Sequence, residues 1–340
     1  MAALSENVAQ AFRVPSWLAN PHVQSLCAAL PLWAPPSTFR PASAETLRIA
    51  LPTDGALRAH VWWQDEASGK RPAAIIVHGV AGSSDSAYVV RAAVAMHRAG
   101  WNVVRLDLRG AGESTADAPL LYHAGLTEDL RVTLDHVASH ARVDGVAFVG
   151  FSLGGHVVLR FAGELGATAD GALRATVAIS APLDLLRVTR AIERLRCAPY
   201  QHYVLSNLIR QAKRFMQAHP SRAGFDRTAL GKLHTIRAYD GLVIAPMHGF
   251  ASAEDYYARM SAGPLVERIR VPTLLIHAED DPMVPADSVR DWLGRAPAAV
   301  DQAWTARGGH VGWFDGVSEA SWVNTWAVDR ALAFLKGRLR

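Results

Sequence analysis

Apolar positions in the first forty residues keep no period, and Pro15, Pro21, Pro31, Pro35, Pro36 and Pro41 interrupt any helix there. With aromatic residues among them from Phe12 to Trp33, residues 1–44 read as an irregular arm packed across a larger body. The pattern then changes. Residues 47–51 and 57–63, separated by the turn Thr53-Asp54-Gly55, predict two short strands in a hairpin. Ala73-Ala74-Ile75-Ile76-Val77 is a continuous apolar run, the mark of a strand buried on both faces. Beyond it helix and strand patterns alternate, with helices at 87–99, 127–140 and 154–165 and strands at 101–106, 146–149 and 175–180. This alternation predicts an α/β fold with a mostly parallel central sheet, right-handed crossovers and helices on both faces. Residues 182–264 break the pattern: Tyr203, Val204, Leu208, Ile209, Phe215 and Met216 recur at helical spacing opposite Arg210, Lys213 and Arg214. Residues 183–264 therefore read as an inserted helical cap. A strand at 273–277, a helix at 286–293, a strand at 300–305 and a helix at 318–339 complete a core made of residues 45–182 and 265–340. There is no internal repeat and no low-complexity tract.

Composition narrows the class. The 340 residues are 50% hydrophobic and 19% charged, with a mean hydropathy of +0.07, enough to bury a core. No apolar run approaches the ~18 residues that a membrane-spanning helix needs. Residues 1–10 lack the basic start and apolar stretch of a leader, so neither secretion nor a membrane span is expected, and the expected compartment is cytoplasmic. The net charge of +4 is carried by arginines interleaved with acids, without a basic block or an aromatic ladder, which argues against a nucleic-acid partner. Cys27 and Cys197 form no metal-ligand spacing and are too few for a disulfide framework, so both are expected as free thiols. The basic, apolar-faced stretch 203–216 would suit peripheral lipid contact, although packing of an amphipathic cap helix is the commoner use of such a face. The pattern does not specify an oligomeric state.

The chemistry centres on Gly150-Phe151-Ser152-Leu153-Gly154, followed by Gly155, between a predicted strand and a predicted helix. A serine on a sharp strand-to-helix turn needs small residues two before and two after it. The turn would lift the hydroxyl off the carboxyl edge of the sheet and aim the first free N–H groups of the helix at the same point. Without that context the sequence would be only a tight turn with a solvated serine.

A serine hydroxyl is a poor nucleophile at neutral pH and needs a base, which in turn needs an orienting carboxylate. His310, in Gly308-Gly309-His310-Val311-Gly312 after the last predicted strand, is the candidate base among 14 histidines, and the flanking glycines suggest a flexible loop that swings the ring over Ser152. His277 lies in a strand and is expected in the core. In His277-Ala278-Glu279-Asp280-Asp281-Pro282 the acid is Asp281, or its neighbour Asp280, the latter otherwise a solvated turn residue. The N–H groups of Leu153 and of Val80, in His78-Gly79-Val80-Ala81-Gly82, would form the oxyanion hole, with His78 itself structural. Asp107-Leu108-Arg109-Gly110-Ala111-Gly112-Glu113 lacks the glycine and lysine spacing of a phosphate loop, so no nucleotide cofactor is expected. No histidine pair has the spacing of a metal site.

Taken together, the chain resembles the YheT-like branch of the α/β-hydrolase superfamily, which includes lung-type α/β-hydrolase-domain proteins and yeast medium-chain ethyl ester synthases. The resemblance runs from Asn20-Pro21-His22-Val23-Gln24 through His78-Gly79, Arg109-Gly110, Tyr122-His123-Ala124-Gly125, Thr127-Glu128-Asp129-Leu130 and the Ser152 segment. It continues through Ser180-Ala181-Pro182-Leu183-Asp184, Ala245-Pro246-Met247-His248-Gly249-Phe250, Asp255-Tyr256-Tyr257 and Asp280-Asp281-Pro282 to the His310 segment. His156 stands where the family often has Asn, and Ala111 where it often has Cys. The resemblance implies the α/β-hydrolase fold and a charge relay of Ser152, Asp281 and His310. It also implies an esterase acting on short- to medium-chain acyl esters, with no cofactor and a small-molecule ester as partner. Two alternatives stay open: an acyltransferase that passes the acyl group to an alcohol, and a catalytically silent hydrolase-fold binding protein.

Overall fold

The alternating pattern resolves, in a computed structural model, into one eight-stranded sheet wrapped by helices. The structure describes residues 12–14, 16–29, 41, 43–169, 171–315 and 325–339. In chain order the main elements are α1 (Pro21–Ala29), β1 (Ala44–Ala50), β2 (Ala56–Trp62), β3 (Arg71–Val77), α2 (Ala87–Arg98), β4 (Asn102–Asp107), α3 (Glu128–Ala138) and β5 (Val143–Phe151). They continue with α4 (Leu153–Leu165), β6 (Leu173–Ile179), α5 (Leu185–Ile192), α6 (Ala198–Ala218), α7 (Ala253–Met260), β7 (Thr273–Ala278), α8 (Ala286–Leu293), β8 (Val300–Thr305) and α9 (Trp326–Lys336).

The strand order is β1-β2-β4-β3-β5-β6-β7-β8, antiparallel across the first two pairings and parallel across the rest. Because side chains alternate along a strand, Ala74 and Ile76 of β3 pack on the side of α2 and α9, while Ala73, Ile75 and Val77 pack on the side of α3 and α4. Both faces are covered, which is why the central strands read as unbroken apolar runs. From β3 the chain steps to β4 on one side and then crosses to β5 on the other. A reversal of this kind leaves a crevice beyond the carboxyl ends of the diverging strands, here those of β3 and β5.

Between β6 and β7 the chain runs through α5, α6, α7 and several single turns. On α6, Val204, Leu205, Leu208, Ala212 and Phe215 are buried, whereas Tyr203 is 58% exposed. Tyr203 falls about 100° behind Val204 around the helix and so leaves the inward face that the pattern assigned to it. Among the described residues no helix is long and apolar enough to cross a membrane.

The N-terminal stretch departs from expectation, since residues 21–29 form a helix among the prolines. Pro21 occupies its first position, where the missing N–H has no intrahelical partner to lose, and Asn20 Oδ1 accepts the His22 N–H at 2.8 Å. The helix carries Gln24 into full burial. Its Nε2 donates to the carbonyls of Leu18 at 3.0 Å and Phe314 at 2.9 Å, and its Oε1 accepts the Phe314 N–H at 2.8 Å. Pro15, Pro31, Trp33, Pro35, Pro36 and the first part of the helix expected at 318–339 lie outside the described residues. Gln24→Leu would leave three buried backbone groups unpaired, so the unfolding free energy in urea should fall by about 3 kcal/mol; an unchanged transition would contradict this role for the side chain.

Candidate active site

Ser152 sits between the end of β5 and the start of α4 with φ 51° and ψ −120°, a conformation rarely open to residues other than glycine. The space around it admits no side chain on the flanking glycines. A Cβ at Gly150 would lie 2.4 Å from the Gly154 carbonyl oxygen, and one at Gly154 would lie 2.3 Å from that of Val77. The turn is pinned from both sides, as the Ser152 N–H donates to Ile179 of β6 at 2.8 Å and its carbonyl accepts the His156 N–H at 3.0 Å.

The structure brings His310 and Asp281 to this turn. His310 Nε2 lies 2.9 Å from Ser152 Oγ, and its Nδ1 lies 2.8 Å from Asp281 Oδ2. The Asp281 side chain is fully buried, and its other oxygen accepts the N–H groups of Met283 at 2.8 Å and Val284 at 2.9 Å. The two contacts line up carboxylate, imidazole and hydroxyl within hydrogen-bonding distance of one another. Asp280 points elsewhere. Its Oδ1 accepts the Gly309 N–H at 2.9 Å, and its Oδ2 is buried with no partner among the described residues, so it is a half-buried brace of the histidine loop and not a solvated turn residue. Burial pushes its carboxyl up.

The expected swinging loop is not observed. The His310 N–H donates to Ser25 Oγ at 2.8 Å and that of Val311 to Ser180 Oγ at 3.1 Å. The glycines serve close packing: a Cβ on Gly309 would lie 2.4 Å from the Pro21 carbonyl oxygen. Gln24, Ser25 and Ser180 were thus missed as supports of the site. The signal that could have found them was their presence in the quoted Asn20–Gln24 and Ser180–Asp184 motifs or immediately beside them.

Val80 and Leu153 line the same pocket as Ser152 and His310. Around Val80 the backbone is held by phenols, with the Gly79 N–H donating to the Tyr88 hydroxyl at 2.9 Å and the Ala81 N–H to that of Tyr122 at 2.6 Å. Among the described residues neither the Val80 nor the Leu153 N–H has an acceptor, so both are available to a group bound at the serine. His78 is buried and spans the Gly79 carbonyl (2.8 Å) and the Leu108 N–H (3.3 Å). His277 is buried in β7 against the Val284 carbonyl at 3.0 Å. In the Asp107–Glu113 turn, Asp107 accepts the N–H groups of Ser84 and Glu113, and Arg109 pairs with buried Asp129. No group of three or more His, Cys, Asp or Glu among the described residues could hold a metal ion.

The pocket above the serine is mainly apolar, walled by Leu185, Val188, Val204, Leu208, Ile236 and Met283. Burial acts on two of its titratable groups. Burial, with His248, Arg109 and Arg160 nearby, pushes His123 down to about 3. Burial pushes Asp240 up to about 7, against the hydrogen bond from Tyr257. His156, behind the pocket, contacts the carbonyls of Pro182 (2.7 Å) and Met260 (2.9 Å), yet burial still pushes it down to about 4.

A serine, a histidine and a carboxylate within hydrogen-bonding distance at a strand-to-helix turn, on a sheet of this order, are the arrangement of one large family, and comparison places the chain in it. The family described as the alpha/beta hydrolase fold matches residues 72–316. YheT of Escherichia coli (strain K12) is 33% identical over 270 residues, covering 79% of this chain and 78% of that one. This chain belongs to the YheT-like branch of the α/β-hydrolase superfamily. The monoacylglycerol lipase of Saccharomyces cerevisiae is 29% identical over 74% of this chain and 57% of its own length. The esterase Pf2001 of Pyrococcus furiosus superposes with a TM-score of 0.58 at 17% identity, over 90% of this chain and 97% of that one, a likeness of fold.

A histidine that titrates near 6.5 when unfolded, but only at about 3 in the fold, takes up its proton in the unfolded chain first, so stability is lost as pH falls through that window. The drop in urea midpoint between pH 7 and pH 5 should therefore be smaller in His123→Asn than in wild type; an equal or larger drop would contradict the neutral assignment.

Proposed function

We propose that this protein is a serine carboxylic-ester hydrolase of the carboxylesterase type, acting on short- to medium-chain acyl esters. The observation that carries the reading is the continuous relay from Ser152 Oγ through His310 to Asp281, opening on a pocket with two unengaged N–H groups. Ser152 Oγ attacks the ester carbonyl carbon while His310 Nε2 takes its proton. Asp281 keeps the ring in the accepting tautomer and stabilises the imidazolium that forms. The carbonyl oxygen becomes an oxyanion and meets the Leu153 and Val80 N–H groups, the first of them at the positive end of α4. As the tetrahedral intermediate collapses, the C–O bond to the alcohol breaks and His310 returns its proton to the departing oxygen. Water, deprotonated by His310, then attacks the acyl-enzyme and releases the acid, regenerating Ser152. All groups are supplied by the chain. The apolar walls suit an acyl chain, and the names of the yeast and mouse relatives, a monoacylglycerol lipase and a phospholipase, support ester chemistry.

In this reading residues 1–44 act as an arm, residues 45–182 and 265–340 as the catalytic core, and residues 183–264 as the cap over the acyl pocket. Cys27 and Cys197 are free thiols, which suits a cytoplasmic setting.

With p-nitrophenyl butyrate the enzyme should show a burst of nitrophenolate that disappears in Ser152→Ala; unchanged turnover in that variant would move the chemistry elsewhere. Asp281→Asn should lose about 10⁴-fold in kcat by imposing the wrong tautomer, while Asp280→Asn loses far less, and the reverse ranking would exchange their roles. With ethanol added, butyrate should remain the main product, whereas ethyl butyrate as the main product would turn the reading to acyl transfer.

A further inference from the structure

The mechanism leaves one acid of its own pocket unused. Asp240 is the one acidic side chain among the described residues that line the pocket shared with Ser152 and His310, and it is only 8% exposed. No lysine or arginine among the described residues pairs with it. Its Oδ2 accepts the Tyr257 hydroxyl at 2.5 Å, while Oδ1 has no partner among the described residues. A carboxyl group kept in a mainly apolar cavity without a cation costs free energy unless something in the cavity meets it.

Local geometry aims the residue there. Asp240 opens a π-helical turn, Asp240–Ile244, that runs directly into Ala245–Met247. Pro246 cannot donate to the carbonyl four residues back, and its ring crowds that carbonyl in a regular helix. A wider turn just before the proline relieves the clash, and its first residue, Asp240, lines the pocket; such turns recur at functional sites. Three of the four phenols among the described residues lining the pocket take part in hydrogen bonds. Tyr122 accepts the Ala81 N–H, Tyr256 accepts the Ala124 N–H, and Tyr257 donates to Asp240 itself.

We propose that Asp240 is a specificity-determining residue whose Oδ1 receives a hydroxyl group carried by the substrate, so that the preferred substrates are esters bearing a free hydroxyl. Burial favours the neutral carboxyl, which both donates and accepts, and a hydroxyl does the same. An ammonium group would have to shed its water in a mainly apolar pocket at a greater cost than a hydroxyl. The proposal rests on the ester-hydrolase reading and adds the substrate class to it.

Two substrate pairs separate the sides on which the hydroxyl could lie: p-nitrophenyl 6-hydroxyhexanoate against the hexanoate for the acyl side, and 2-hydroxyethyl butyrate against propyl butyrate for the alcohol side. In one pair the wild-type kcat/KM should favour the hydroxylated ester by about tenfold. That ratio should fall to near one in Asp240→Leu and persist in large part in Asp240→Asn, which still accepts from Tyr257 and keeps a polar atom toward the pocket. Taking the ratio cancels any general loss of turnover, and Asp240→Ala repeats the measurement if the leucine variant does not fold. No preference in either pair, or a preference that survives Asp240→Leu, would overturn the proposal while leaving Ser152-dependent hydrolysis of the plain esters intact. Turnover that survives Ser152→Ala would instead overturn the hydrolase reading, and this proposal with it.

Discussion

The left-handed turn at Ser152 is the constraint around which the rest of the structure is arranged. It lies in a φ region that side chains disfavour, at a cost on the order of 1–3 kcal/mol, and persists because its neighbours leave it nowhere else to go. Two glycines without room for a Cβ, an N–H bonded to β6 and a carbonyl bonded into α4 determine it completely. The sheet that carries the turn is covered by helices on both faces. The long apolar strands and the helices covering them are thus conditions for the site and not merely a scaffold beneath it.

Strain is concentrated at the same edge. Ala81, Ser152, Ser180, Val311 and Trp313 all have positive φ, and they surround the candidate relay. Val311 is β-branched, for which that region is least comfortable. Its N–H is held by Ser180, itself strained, and the preceding N–H of His310 is held by Ser25 from a helix nearly three hundred positions earlier in the chain. Elements distant in sequence thereby share one task, fixing an imidazole within hydrogen-bonding distance of a hydroxyl before any substrate arrives. Positioning of this kind, set in advance, is what makes a relay effective.

The pocket has the opposite character from the turn below it. Its walls come largely from the helices between β6 and β7, which pack through residues such as Leu208 and Phe215 of α6 and present aliphatic side chains over the serine. Family membership accounts for the fold, but these walls are where relatives sharing it can differ in what they accept.

Much of this was legible in the sequence because it depends on local order and period. Apolar runs gave the strands, the strand–glycine–serine–helix succession gave the turn at Ser152, and the positions of Asp281 and His310 after later strands placed both at one sheet edge. What the sequence could not carry is anything that depends on which distant surfaces meet. The prolines of the first forty residues argued against a helix that Pro21 in fact begins, because only tertiary packing gives Gln24 and Ser25 their partners. The glycines beside His310 read as freedom and proved to be clearance for a neighbouring backbone. Nothing in the sequence distinguishes Asp240, whose burial depends on how the helices between β6 and β7 pack. The sequence alone determined the order of elements and the kinds of groups available, since those follow from short-range sterics and periodicity. The contacts that orient the histidine, free two amides and bury a carboxyl were decided by tertiary structure, since each depends on chain segments far apart in sequence meeting in space.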